Sequence, residues 1–203
     1  MRRLAFLPLL LAALTGCATP GQVPPATAPT VALRSADLPH GLVVCGRSGD
    51  IDAFLKDAPT NNDLATEIEQ NWQAIKTLGV KRGIVEVYAQ SKTACDNLFT
   101  SSTAPGSPTV MCMTVEFKAA ATASKAYAQA NLASASITSL PGSEQGYSTG
   151  LGKTSLSFGD SQGSTSVYIA EWLNGRFLDL LLAVDIGVPA SRRAAIDVNS
   201  RIH

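Results

Sequence analysis

The residues best suited to covalent chemistry lie in Gly146-Tyr147-Ser148-Thr149-Gly150, a match to the G-x-S-x-G pattern that presents a nucleophilic serine. Such a site needs Ser148 on a sharp strand-to-helix turn, with a histidine as base and a carboxylate to orient that base. His203 follows in a suitable chain order, and Asp160, Asp179 and Asp185 lie between. The flanks argue the other way. Pro141-Gly142-Ser143-Glu144-Gln145 stands where a strand is needed, and Gly150-Leu151-Gly152 stands where a helix is needed. A serine esterase acting through Ser148 is therefore the alternative reading. Gly150-Leu151-Gly152-Lys153-Thr154 has the ending of a phosphate-binding loop, but the glycine required five residues before Gly152 is Tyr147. Asp50, Asp52, Asp57 and Asp63 are dense without forming the D-x-D-x-D-G spacing of a calcium loop, so they read as helix caps and a solvated face. The two histidines, His40 and His203, have no spacing that would bring them together. No catalytic residue, metal ligand or cofactor is assigned.

The N-terminus carries an address. Met1-Arg2-Arg3 is followed by an apolar stretch from Leu4 to Leu14 and by Thr15-Gly16-Cys17, the layout of an export signal. That stretch is too short to span a hydrocarbon core, which needs ~20 helical residues, and Pro8 interrupts it. Leu14-Thr15-Gly16-Cys17 resembles the bacterial lipobox. The resemblance implies that residues 1–16 are removed and that Cys17 becomes a lipid-bearing N-terminus. The protein would then be held at the extracytoplasmic face of the cell membrane by its acyl chains, each buried CH₂ contributing ~0.8 kcal/mol. Residues 18–36 contain Pro20, Pro24, Pro25 and Pro29 and few large apolar side chains, so they read as an extended tether. No other segment approaches a membrane span.

Beyond residue 36 the chain is long enough for one domain with a real core. Loss of Arg2 and Arg3 takes Lys plus Arg from 16 to 14 against 16 Asp plus Glu, a net charge of −2. With no basic stripe, nucleic acid is excluded as a partner. Once Cys17 carries lipid, Cys45, Cys95 and Cys112 remain, and an odd number outside the cytoplasm leaves one thiol free. Cys112 sits in an alternating apolar run, where a small buried thiol is ordinary. The favoured bridge is Cys45–Cys95, with Cys95–Cys112 second.

The elements that must position these residues follow from periodicity. A first strand covers 41–45. Ser48-Gly49-Asp50 caps a short helix carrying Ile51, Phe54 and Leu55, and a longer helix covers 62–78, with Leu64, Ile68, Trp72, Ile75 and Leu78 at helical spacing. Residues 83–90 and 111–117 alternate as strands on either side of a polar loop, 91–108. An Ala-rich helix covers 119–133, and a loop leads to a strand near 152–158. Asn174-Gly175 between two alternating runs marks a type I′ hairpin. A helix from Pro189 to Ile202 closes the chain. Hairpin-like connections in this order predict an α+β fold: a mainly antiparallel sheet with helices packed on one face.

The hairpin has two unequal faces. Val167, Ile169, Leu178, Leu180 and Leu182 form the expected core face. Tyr168, Trp172, Phe177 and Leu181 form the other, which is too apolar for a solvated surface. Either the protein's own loops cover it, or it lines a groove for an apolar ligand or an envelope protein partner. Gly150-Leu151-Gly152, a strand, a Trp-containing hairpin and a short last helix are similar in layout to small bacterial envelope lipoproteins and sensor-like domains, with LpqN- and PsbP-type folds the nearest in kind. That resemblance covers residues 150–203. It implies a non-enzymatic envelope role and carries over no functional residue.

Overall fold

The alternating runs pair with one another as hydrophobic periodicity demands. A computed structural model describes residues 24–56, 63–98, 107–130 and 137–203; the signal segment and Cys17 lie outside the described residues. The strands are β1 (Val43–Val44), β2 (Gly49–Asp50), β3 (Val80–Ala89), β4 (Thr109–Phe117), β5 (Glu144–Gln145), β6 (Ser155–Gln162), β7 (Thr165–Asn174) and β8 (Phe177–Val184). They form one eight-stranded sheet in the order β1-β3-β4-β8-β7-β6-β5, with β2 also paired to β3, and every pairing is antiparallel. The helices are α1 (Ala28–Val31), α2 (Ile51–Lys56), α3 (Asp63–Lys76), α4 (Lys92–Asn97), α5 (Ala120–Ala130) and α6 (Val188–Ser200). The fold is α+β with a mainly antiparallel sheet, as the sequence predicts.

The helices divide between the two faces of the sheet rather than sharing one as expected, because the central strands are apolar on both faces. On one face Ile51 and Phe54 of α2, Ile68, Trp72 and Ile75 of α3, and Ala123 and Ala126 of α5 pack on Val85, Val87, Met111, Met113, Val115 and Phe117. Gly83 permits this layer, because a Cβ there would lie 2.8 Å from the Trp72 ring and 2.9 Å from Ile51. On the other face Ala194, Ala195 and Val198 of α6 pack with Val31, Leu33 and Leu38 on Tyr88, Val110, Cys112 and the hairpin aromatics. All nine residues of β4 are buried, as befits a central strand covered on both sides.

Three boundaries differ from expectation for local reasons. The loop expected over 91–108 contains α4, which Ser91 caps by accepting the Ala94 N–H at 3.1 Å. The hairpin loop is Gly175-Arg176, since Asn174 pairs with Phe177. Gly175 alone has positive φ (56°), so the turn is of type II′. Asn174 joins the ladder, and its amide also donates to Asn199 Oδ1 of α6 at 2.9 Å. Because each partner moves by two residues, both faces keep their members.

The third difference is the expected tether, of which residues 26–36, more than half, fold. From Ala26 to Leu38 the chain lies across the sheet as a strap, with Ala26, Ala28, Val31, Ala32, Leu33 and Leu38 buried. Polar side chains fasten both ends. Glu116, itself buried, accepts the Ala28 N–H at 3.1 Å and pairs with Lys81 (2.8 Å) and Arg176 (3.1 Å), while Arg176 Nη2 donates to the Ala26 carbonyl at 2.7 Å. At the other end Arg201 donates to Asp37 through Nη1 (2.9 Å) and Nη2 (2.8 Å), and to the carbonyls of Val31 and Ala32. Proline content was a poor guide here, because Val31 and Leu33 lose their exposure against a surface supplied by distant strands.

Candidate functional site

Ser148 is not a nucleophile elbow. Gly146–Thr149 form one 3₁₀ turn between the two-residue β5 and Gly150, whose φ is 81°. The Ser148 hydroxyl donates to the Gln145 carbonyl at 2.8 Å, and Thr149 is buried in a bond with Ser155 Oγ at 2.7 Å. The glycine of the motif has a packing role: a Cβ on Gly150 would lie 3.2 Å from Ile196 of α6. The carboxylates that could complete a triad are engaged elsewhere. Asp160 accepts the Ser161 N–H, Asp185 accepts the Ser166 N–H at 2.9 Å, and Asp179 is enclosed in the second core. His203 is exposed at the chain end.

The acidic run also resolves into structure. Asp50 Oδ1 accepts the Asp52 N–H at 3.0 Å at the start of α2, and Asp52 accepts from Trp72 Nε1 at 2.8 Å and from Lys76 at 2.7 Å. These bonds, with the Lys76 charge, hold the Asp52 carboxyl below the usual range. Asp57 lies outside the described residues, and no group of three metal-ligating side chains occurs among those described.

The aromatic hairpin face is a core, which corrects the groove reading. Tyr168, Trp172, Phe177 and Leu181 are each at most 2% exposed. They sit beneath α6 and the strap. Covering this face required two segments far apart in sequence, so its closure was not visible from the hairpin alone.

That second core contains a polar row. Thr114, Asp179 and Trp172 are successive cross-strand partners on β4, β8 and β7. Asp179 is fully buried, and neither of its carboxyl oxygens has a hydrogen-bond partner of good geometry. Burial pushes its pKa up to about 7, with Thr114 and the Arg201 charge opposing the shift. Next to this row Cys112 is buried as a free thiol, driven well up by burial and then by the Asp179 charge. Without access to solvent this row has no substrate to act on. Its effect is on stability.

The accessible feature is the β1 edge. Val43 and Val44 are 44% and 56% exposed, unusual for neighbouring β-branched residues. Their strand is terminal in the sheet and held only from one side, pairing with Ala89 and Tyr88. Beyond it the chain is fixed firmly. Cys45 donates its N–H to the Val87 carbonyl at 2.8 Å, Ser48 Oγ accepts from Val87 N at 2.9 Å, and Cys45 is bridged to Cys95 of α4 (Cα–Cα 5.4 Å). The disulfide is the pairing the sequence favoured. The two valines, the bridge, Arg47, Lys92 and Asp96 line a recess of about 390 Å³. Sequence reading placed Val43 and Val44 in a strand but had no means of knowing that the strand is an edge. A smaller recess of about 300 Å³, bordered by His40, Gln90 and Ile186, lies at the end of β3 and β8.

No protein-family model matches the chain, and no curated protein matches it. Among solved structures it is similar to the extracellular domain of PknH from Mycobacterium tuberculosis, with a TM-score of 0.44 and 6% sequence identity over 64% of this chain and 69% of that one. A likeness of that degree assigns neither a family nor an activity. No helix among the described residues is long and apolar enough to cross a membrane.

Proposed function

We propose that the protein is a lipid-anchored, non-enzymatic domain of the bacterial envelope that binds a protein partner along the β1 edge. The observation that carries this reading is the pair of exposed valines on a terminal strand beside a disulfide-fixed recess. An edge strand offers unpaired backbone donors and acceptors to an incoming strand, and a neighbouring apolar recess gives a side chain somewhere to insert. The Cys45–Cys95 bridge supports an oxidising location. The export signal and the Leu14-Thr15-Gly16-Cys17 lipobox support anchoring through Cys17, and the layout of residues 150–203 supports a non-catalytic role.

A photo-crosslinking residue at position 44 of the membrane-bound protein tests the partner. One discrete adduct is expected, lost when Val43→Lys is added and absent when the probe is moved to Ser164 in the opposite β6–β7 turn. Equal adduct patterns from both positions refute the β1 edge as the binding surface. Anchoring is tested separately: Cys17→Ser should move the protein out of the membrane fraction.

A further inference from the structure

The charge of the sheet is sorted along its strands. At one end lie the start of β3, the end of β4, the lead into β6 and the β7–β8 turn. The segments 79–82, 116–118, 153–154 and 174–177 carry Lys81, Arg82, Lys118, Lys153 and Arg176 against a single acid, Glu116. Hydrogen bonds draw these segments together: Phe117 N–H to the Arg176 carbonyl (2.9 Å), Lys118 N–H to the Gly79 carbonyl (3.0 Å) and Leu173 N–H to the Thr154 carbonyl (2.9 Å). Glu116 is buried and neutralised by Lys81 and Arg176, so the exposed charge here is positive, with Arg82, Lys118 and Lys153 all in solvent. At the opposite strand ends, segments 88–90, 107–109, 160–166 and 183–186 carry Asp160 and Asp185 and no Lys or Arg; Lys92, in α4, is the first base beyond them.

The strap enters at the basic end. The Ala26 carbonyl is bound by Arg176, and Ala28 by Glu116. Ala26 lies nine residues beyond Cys17, a reach of no more than about 32 Å even at full extension. A lipid on Cys17 therefore holds the basic end, and not the acidic one, nearest the bilayer. We propose that this end is a membrane-facing surface that binds the anionic headgroups of the anchoring bilayer and so orients the domain. The proposal rests on the lipid-anchor reading above. Bases close to an anionic leaflet each strengthen attachment about fivefold, and the attraction vanishes within a Debye length, about 8 Å at physiological salt. The effect thus depends on the short reach of the anchor. The orientation also leaves β1, which lies on the sheet's lateral edge, free of the bilayer.

The test uses the processed, lipid-bearing full chain reconstituted into vesicles of phosphatidylcholine alone or of phosphatidylcholine with phosphatidylglycerol. Lys118→Cys and, at the far turn, Ser164→Cys are labelled with a membrane-impermeant maleimide. The native thiols do not interfere, because Cys45 and Cys95 are bridged and Cys112 is buried. Labelling at position 118 should slow about fivefold or more on the anionic vesicles, and 1 M salt, where the Debye length is about 3 Å, should restore it. Position 164 should label equally on both. Equal rates at position 118 on both vesicles, with the protein still vesicle-bound, overturn the oriented surface and leave the anchor standing. Failure to associate with either vesicle overturns both.

Discussion

Asp179→Asn is the most informative substitution outside the surface. The wild-type carboxyl titrates near 7 when folded, because burial penalises its ionised form, against an ordinary value of 3.8. Between those values the folded protein holds a proton that the unfolded chain has released. Raising the pH through this window therefore destabilises the fold, and the loss levels off once both states are ionised above about pH 7. Three pH units at about 1.4 kcal/mol each set the full loss at about 4 kcal/mol. Asparagine fills nearly the same volume and carries no charge, so it removes the titration without opening a cavity. Urea unfolding at pH 4.5 and pH 8 measures the effect. Glu86, also raised by burial, adds a slope of the same sign to both proteins, so the quantity to compare is the wild-type-minus-variant difference. That difference should shift by about 3–4 kcal/mol in favour of the variant on going to pH 8. A difference independent of pH would refute the buried, poorly partnered carboxyl as a source of instability.

Arg201→Ala strands Asp37, which is 8% exposed, and frees the Val31 and Ala32 carbonyls; a loss of about 3 kcal/mol is expected. Hydrogen exchange should report it as lost protection in the strap before the central strands open. Replacing both Cys45 and Cys95 with serine releases a loop of 50 residues and should lower stability by about 4 kcal/mol in denaturant titration, without moving β3 and β4 out of register. Ser148→Ala removes one exposed bond to the Gln145 carbonyl, so ester hydrolysis should stay at the buffer background and stability should change by about 0.5 kcal/mol or less. A variant-dependent fall in hydrolysis would revive the esterase reading.

Periodicity recovered the elements whose buried faces are local. Ile68, Trp72 and Ile75 fall on one side of α3, and Met111, Met113 and Val115 on one side of β4, because helical and strand geometry alone put them there. The Cys45–Cys95 pairing was also legible, since Cys112 belonged to an alternating buried strand. What sequence could not show was closure at a distance. The strap reads as tether because its few apolar residues gain their burial from β3, β4 and α6, and its fastening by Glu116 and Arg201 involves residues 88 and 164 positions away. The same gap left open whether Tyr168, Trp172, Phe177 and Leu181 line a groove or a covered core, which the structure shows to be a core. Val43 and Val44 fall in the expected first strand, but only strand order shows that this strand is an edge.

The strap also sets the order in which the protein can finish folding. The guanidinium that fastens its residues belongs to Arg201, on the far side of the whole sheet in sequence. Contacts spanning 164 to 170 residues form only after the loop between them closes, and topologies dominated by such contacts fold slowly. Trp172 and its neighbours need both the strap and α6 for cover, so neither segment alone completes the second core. The second core therefore depends on contacts of much longer range than the first, whose helices lie close in sequence to the strands they cover.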